Sequence, residues 1–365
     1  FVHTGLLTKA DNAQEVVAVL AHETGHIAGG HIVRLYENMR IARRNMLLSM
    51  VLGAVVAGAS GRGDAAMGVM TGMMSSSQGL LAGYRRSEES AADETAVRLL
   101  TATGHDLSGF ADIMKKLQRQ ENLYTADGTE LWRTHPMVRE RLALIAASPS
   151  KTADVKRTAQ ENVLFFKMKA KLDGFLSSPQ KVRAEYKDDS LPSRYARAVL
   201  AYRTGDFANA EKQIDALIAA EPENPYFYEL KGQLLFETGR GAEAVAPYEK
   251  AVKLLPDADL FRIGLAQALL ADENGANTDK ALAALSPVQA DLPAVWRLKA
   301  TAWGRAGQSG LAAYALAEYN LAAGDAKQAR RFANRAVSLL PADDSAALKS
   351  RDILESLKEN SPRQR

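Results

Sequence analysis

From about Asn12 to Met50 the apolar residues recur at helical spacing, with Val16, Val17, Leu20 and Ala21 on one face and Ile27, Val33, Leu35 and Ile41 continuing it. The pattern predicts a helix with Asp11 or Asn12 as its N-cap. Further helices are expected through "RRSEESAADETAVRLLTATG", closed by Gly104, from Ser108 to about Tyr124, and in "THPMVRERLALIAAS", where Pro136 sits in the first turn. "ASPSKTADVKRTAQ" reads as a polar connector, and "NVLFFKMKAKLDGF", from Asn162 to Phe175, as a bridging helix. The opening "FVHTGLL" alone looks like a strand, already under way at Phe1. Residues are therefore expected upstream, where a signal peptide would lie.

Between Met46 and Gly83 the pattern changes. Charges vanish apart from "GRGD", and small residues and methionine dominate. Each apolar arm is at or below the roughly 20 strongly apolar residues that a bilayer crossing requires. The expectation is a pair of small-residue helices packed on or over the preceding domain as a lid. A spanning hairpin, or peripheral membrane contact through 46–83, is the alternative.

From about Asp189 a period appears. Gly205 and Gly239 lie 34 residues apart, as do Pro222 and Pro256, and each glycine precedes its proline by 17 residues; Gly324 and Pro341 repeat that interval. A glycine closing one helix and a proline ending the next resemble the tetratricopeptide repeat, whose apolar faces must be covered by neighbouring units. About four repeat-like pairs are expected across 190–340, with drift around Gly275 and Gly307. The layout is thus a domain over 1–150, a linker and bridging helix over 151–188, and a repeat domain over 189–365. The fold class is mainly α, with at most a remnant strand near the N-terminus.

Composition adds little. The 365 residues are 47% hydrophobic and 24% charged, and 46 basic against 43 acidic side chains leave a formal charge of +3, with no reason to propose a nucleic-acid partner. The absence of cysteine matters more, since it excludes disulfides, thiolate metal sites and a cysteine nucleophile.

The candidate chemistry sits in "HETGHIAGGHI". His22 and His26 are one helical turn apart and can grip one Zn²⁺, with Glu23 beside them to take a proton from a zinc-bound water. Catalytic zinc takes a third protein ligand. A metzincin would place a histidine at 32, but Ile32 is there. His31, in a continuing helix, lies about 180° round from His22 and points away unless Gly29 and Gly30 bend the chain. The other source is "YRRSEESAADETA", which offers Glu88, Glu89 and Asp93. Glu89 and Asp93 share a face, so that one could ligate while the other holds a ligand imidazole.

HExxH, a Gly/Ala/Met-rich interval, "SEESAAD", "THP" and then the repeats together resemble the M48 family of zinc metallopeptidases, in its periplasmic tetratricopeptide-containing branch, over nearly the whole chain. The resemblance implies a helical zincin-type domain of the gluzincin kind, holding one Zn²⁺ through His22, His26 and Glu89. Glu23 would be the general base and Asp93 the acid behind the ligands. The usual ExEAD is here Glu89-Ser-Ala-Ala-Asp93, which lacks the middle acid and keeps both functional ones. His135 matches the family's His-Pro motif, either donating to the oxyanion or occupying the open metal position at rest. Arg133, Arg139 and Arg141 read as surface charges, any one of which could help stabilise the intermediate.

The expected activity is a zinc endopeptidase of the periplasm of a Gram-negative bacterium. It would act in envelope quality control on unfolded or misfolded envelope proteins, with the repeats recruiting substrates or protein partners. The rival reading is a chaperone-like scaffold whose zinc site is silent or self-inhibited.

Overall fold

The computed structural model of the chain describes residues 2–60, 86–124, 138–148, 154–272, 275–289 and 292–359, and among them every regular element is a helix. Two compact units divide the chain, Phe1–Leu172 and Asp173–Arg365.

In the first unit, α1 (Thr4–Lys9) stands where a strand was expected. Among the described residues no strand exists to pair with it, and local bonds from Leu6 N–H to the His3 carbonyl and from Ala10 N–H to that of Leu6 satisfy its backbone instead. Helix α2 (Ala13–Ala28) begins at Asn12, whose side chain accepts from the Glu15 N–H at 3.0 Å. Glu15 is buried, and accepts from the Asp11 N–H at 2.9 Å and from Lys116 at 2.6 Å. That ties the start of α2 to α5 (Ser108–Tyr124).

The long helix expected from Asn12 to Met50 is two. Gly30, at φ +63°, breaks it, and α3 (His31–Ser60) sets off anew. The expected face is only partly the buried one: Ala21 is buried and Val16 and Val17 pack against buried clusters, but Leu20, Ile27, Val33 and Ile41 are exposed, and Ala18, His22 and Gly25 are buried instead. A stripe of small residues lets other helices approach closely, which a leucine stripe would prevent. Residues 61–85 of the proposed lid lie outside the described residues. No described helix is long and apolar enough to cross a membrane.

Helix α4 spans residues 86–102 and ends, as expected, at Gly104. With α2, α5 and α6 (Val138–Ala147) it surrounds a core of Ala18, Ala21, Ala96, Leu100, Phe110, Met114 and Ile145. Helix α7 runs Val155–Leu176, beginning inside the stretch read as a connector. Asp154 accepts from the Arg157 N–H at 3.1 Å, and Arg157 bonds Glu161 one turn on at 2.8 Å, so polar residues there cap and brace a helix. Phe165 of α7 packs with Ala10 and Ala13.

The second unit holds α8 (Pro179–Glu185) and ten further helices: α9 (Leu191–Arg203), α10 (Phe207–Ala220), α11 (Pro225–Glu237), α12 (Gly241–Leu254), α13 (Asp259–Leu269), α14 (Thr278–Leu285), α15 (Pro293–Arg305), α16 (Ser309–Ala322), α17 (Ala326–Leu339) and α18 (Ser345–Glu359). From α9 on, each helix packs on its predecessor, and α11 on α13, α13 on α15 and α16 on α18 add next-neighbour contacts, as in a solenoid. Gly205, Gly239, Gly307 and Gly324 all have φ near +80°, supplying the left-handed residue at four of the inter-helix turns.

Candidate metal centre

Two helices of the first unit cross where their side chains vanish. A Cβ on Gly25 would lie 2.7 Å from the Ala92 carbonyl oxygen and 2.8 Å from the Ala92 Cα, so α2 and α4 touch backbone to backbone there. On α2 the crossing point is flanked by His22 and His26, and on α4 by Glu89 and Asp93. Both helices therefore present the same i, i+3, i+4 face, and close approach brings the four polar side chains together.

His22 Nε2 and His26 Nε2 are 3.0 Å apart, and Glu89 carboxylate oxygens lie 3.4 Å from the first and 3.5 Å from the second. Among the described residues these three form a group able to hold a metal ion. The donor set fits zinc: metal–ligand lengths of 2.0–2.2 Å around a tetrahedron put donors about 3.3 Å apart. Glu89 and His22 are buried, His26 partly so.

Behind the donors, Asp93 is fully buried and its Oδ1 accepts from His22 Nδ1 at 2.8 Å, which leaves Nε2 facing the His26 and Glu89 donors. Burial drags the His22 pKa down, but the bonds to Asp93 and Glu89 outweigh it and leave the pKa raised. His26 is lowered, first by burial and then by the neighbouring His22, with the negative charges of Glu89 and Glu23 opposing. Glu23, one residue after His22, is exposed.

Arg141 is the residue the sequence misassigned. Read as a surface charge, it is 5% exposed, and its guanidinium bonds both Asp93 oxygens at 2.7 and 2.8 Å and lies 3.2 Å from Glu89. It fixes α6 to the centre and neutralises two buried carboxylates. Its place one turn into the helix after the His-Pro motif was the available signal, but nothing in the sequence separated it from Arg139, which is exposed. Arg133 and His135 lie outside the described residues.

The remaining candidates divide. Glu88 turns away to Arg34 at 3.9 Å. His31 does not point away as a continuing helix would require: the break at Gly29-Gly30 returns its ring to His26, Nδ1 to Nδ1, at 2.8 Å. It lies outside the three-donor group.

Residues 1–148 match the model of Peptidase family M48, and residues 195–259 match the tetratricopeptide repeat. The chain is similar to the beta-barrel assembly-enhancing protease of Yersinia pestis, 24% identical over 82% of this chain and 63% of that one. It is likewise 24% identical to the protein of that name from Escherichia coli K12, over 74% of this chain and 56% of the relative. It thus spans less than two thirds of the length of either. Among solved structures, yeast Tom70 shares 16% identity at a TM-score of 0.33, covering 78% of this chain and 64% of its own.

Proposed function

The chain joins an M48 peptidase domain to tetratricopeptide repeats, and from that premise we propose that it is a zinc-dependent endopeptidase of the Gram-negative periplasm, acting on unfolded or misfolded envelope proteins. The observation that carries the reading is the convergence of His22 Nε2, His26 Nε2 and the Glu89 carboxylate at separations that suit one zinc ion. The names of the relatives support a role connected with β-barrel assembly.

His22, His26 and Glu89 would hold the ion, Asp93 keeps His22 in the tautomer that ligates, and the Arg141 guanidinium holds the Asp93 and Glu89 carboxylates in place. Bound there, Zn²⁺ would polarise the scissile carbonyl and lower the pKa of a water toward neutrality. Glu23 is the general base: its carboxylate takes the proton of the attacking water and delivers it to the leaving amine, and no covalent intermediate forms. His135 completes the assignment, either donating to the developing oxyanion or blocking the open position at rest. The repeats recruit substrates or protein partners, and 46–83 is a candidate for peripheral membrane contact.

Zinc content after exhaustive dialysis tests the ligand set. The wild-type chain is expected to retain one ion and Glu89→Ala far less; full occupancy in that variant would refute Glu89 as a ligand.

A further inference from the structure

Three residues after His26 the chain begins a turn of two glycines and a histidine that the peptidase motif does not need. The turn places a third imidazole, 4% exposed, edge-on to His26 with ring centroids 4.9 Å apart. We propose that His31 is a positioning residue for the metal centre, accepting the Nδ1–H of His26 so that His26 Nε2 faces the metal with its lone pair, and that Gly29 exists to make room for its ring. This rests on the zinc reading above.

The hydrogen-bond inventory makes the argument. His22 has Asp93 to hold its Nδ1–H. His26 is on the other side of the centre, where its Nδ1 meets His31 Nδ1 at 2.8 Å. A neutral imidazole carries one proton, so only one of these two nitrogens can donate. If His31 donated, His26 would carry its own proton on Nε2 and could not ligate; a His26 that binds metal must donate and His31 must accept. The two ligand histidines are thus held by different chemistries, a carboxylate for one and a neutral ring for the other. A neutral partner holds the tautomer without adding a further negative charge beside Glu89.

The glycine supports the same assignment independently. Gly29 has φ −74° and ψ −12°, a conformation open to any residue, so its backbone does not call for glycine. Its side-chain space does. A Cβ there would lie 2.2 Å from His31 Nε2 and 2.6 Å from Cδ2, inside the ring's own volume. Gly30, by contrast, has open space around it and is needed for its φ of +63°. One glycine turns the chain and the other seats the ring.

The test is Zn²⁺ affinity, measured on the full chain by competition with a chromophoric chelator, alongside the thermal midpoint of the metal-free protein. His31→Phe keeps the ring's bulk but cannot accept, and is expected to weaken Zn²⁺ binding about 10- to 100-fold, the usual effect of losing a group that orients a ligand. His31→Gln, whose amide oxygen accepts, is expected to recover most of that loss. Gly29→Ala should weaken binding in the wild-type background and change nothing further in a His31→Ala background, where the ring it displaces is gone. Wild-type affinity in His31→Phe, or a His31→Gln as weak as His31→Phe, would overturn the proposal while leaving the zinc reading intact. Absence of Zn²⁺ binding in the unmodified chain would overturn both.

Discussion

At the scale of single residues the centre depends on a few buried groups that have no replacement. Arg141 sits between Asp93 and Glu89, both buried. Removing it strands those charges, a loss that costs about 3–5 kcal/mol for a buried pair. Arg141→Ala is expected to lower the melting temperature of the metal-free protein and to weaken Zn²⁺ binding, and Arg141→Lys to restore neither, because an ammonium cannot reach both Asp93 oxygens as the planar fork does. A lysine variant with wild-type melting and affinity would show that charge alone suffices. His135→Ala separates the two roles proposed for that histidine: turnover above wild type marks a resting block on the metal, and reduced turnover marks a transition-state role. The pairing of His22 with His26 was legible because helix geometry alone sets it. Arg141 and the bond of His31 to His26 depend on where another helix or a turn carries the side chain, and no spacing encodes that.

At the scale of elements, backbone contact between α2 and α4 decides whether the proposed ligands meet. Gly25 and Ala92 are the crossing point, and a methyl on Gly25 has no space. Gly25→Ala is expected to push the helices apart and cut zinc occupancy, whereas Gly5→Ala, on α1 with nothing within 4 Å, should change nothing. The second unit uses the same device: Tyr248 is wedged between Gly232 of α11 and Gly264 of α13, where added Cβ atoms would come within 2.7 and 2.4 Å of its ring. Gly264→Ala is expected to destabilise by about 1–3 kcal/mol through overpacking, read as a lower denaturation midpoint, and Tyr248→Leu to relieve part of it. A midpoint unchanged by Gly264→Ala would contradict the wedge. These contacts explain why part of the apolar face of α2 was misjudged. On α2 the sequence advertises Leu20 and Ile27, but the fold buries alanine and glycine, because a site made by two helices needs closeness more than apolar area. The start of α7 was hidden differently, since capping and bracing residues look like linker when no apolar stripe marks them.

At the scale of the whole molecule, two modules with separate logic share one chain. The repeats were legible from a glycine and proline interval, since each unit repeats one turn chemistry, and the helices α9 to α18 follow it through the irregular stretch near Gly275. The separation of tasks predicts that chelation with EDTA abolishes cleavage of an unfolded substrate but leaves its binding, measured by fluorescence anisotropy, in place. Loss of both would argue against recruitment by the repeats. A chaperone-like scaffold with a silent metal site predicts binding without cleavage under every condition. The most direct test of the central claim is cleavage of an unfolded protein substrate by the zinc-loaded chain and by Glu23→Gln, with zinc content measured on the same samples. The account predicts that both hold one zinc and that only the wild type cleaves; cleavage by Glu23→Gln near the wild-type rate would contradict it.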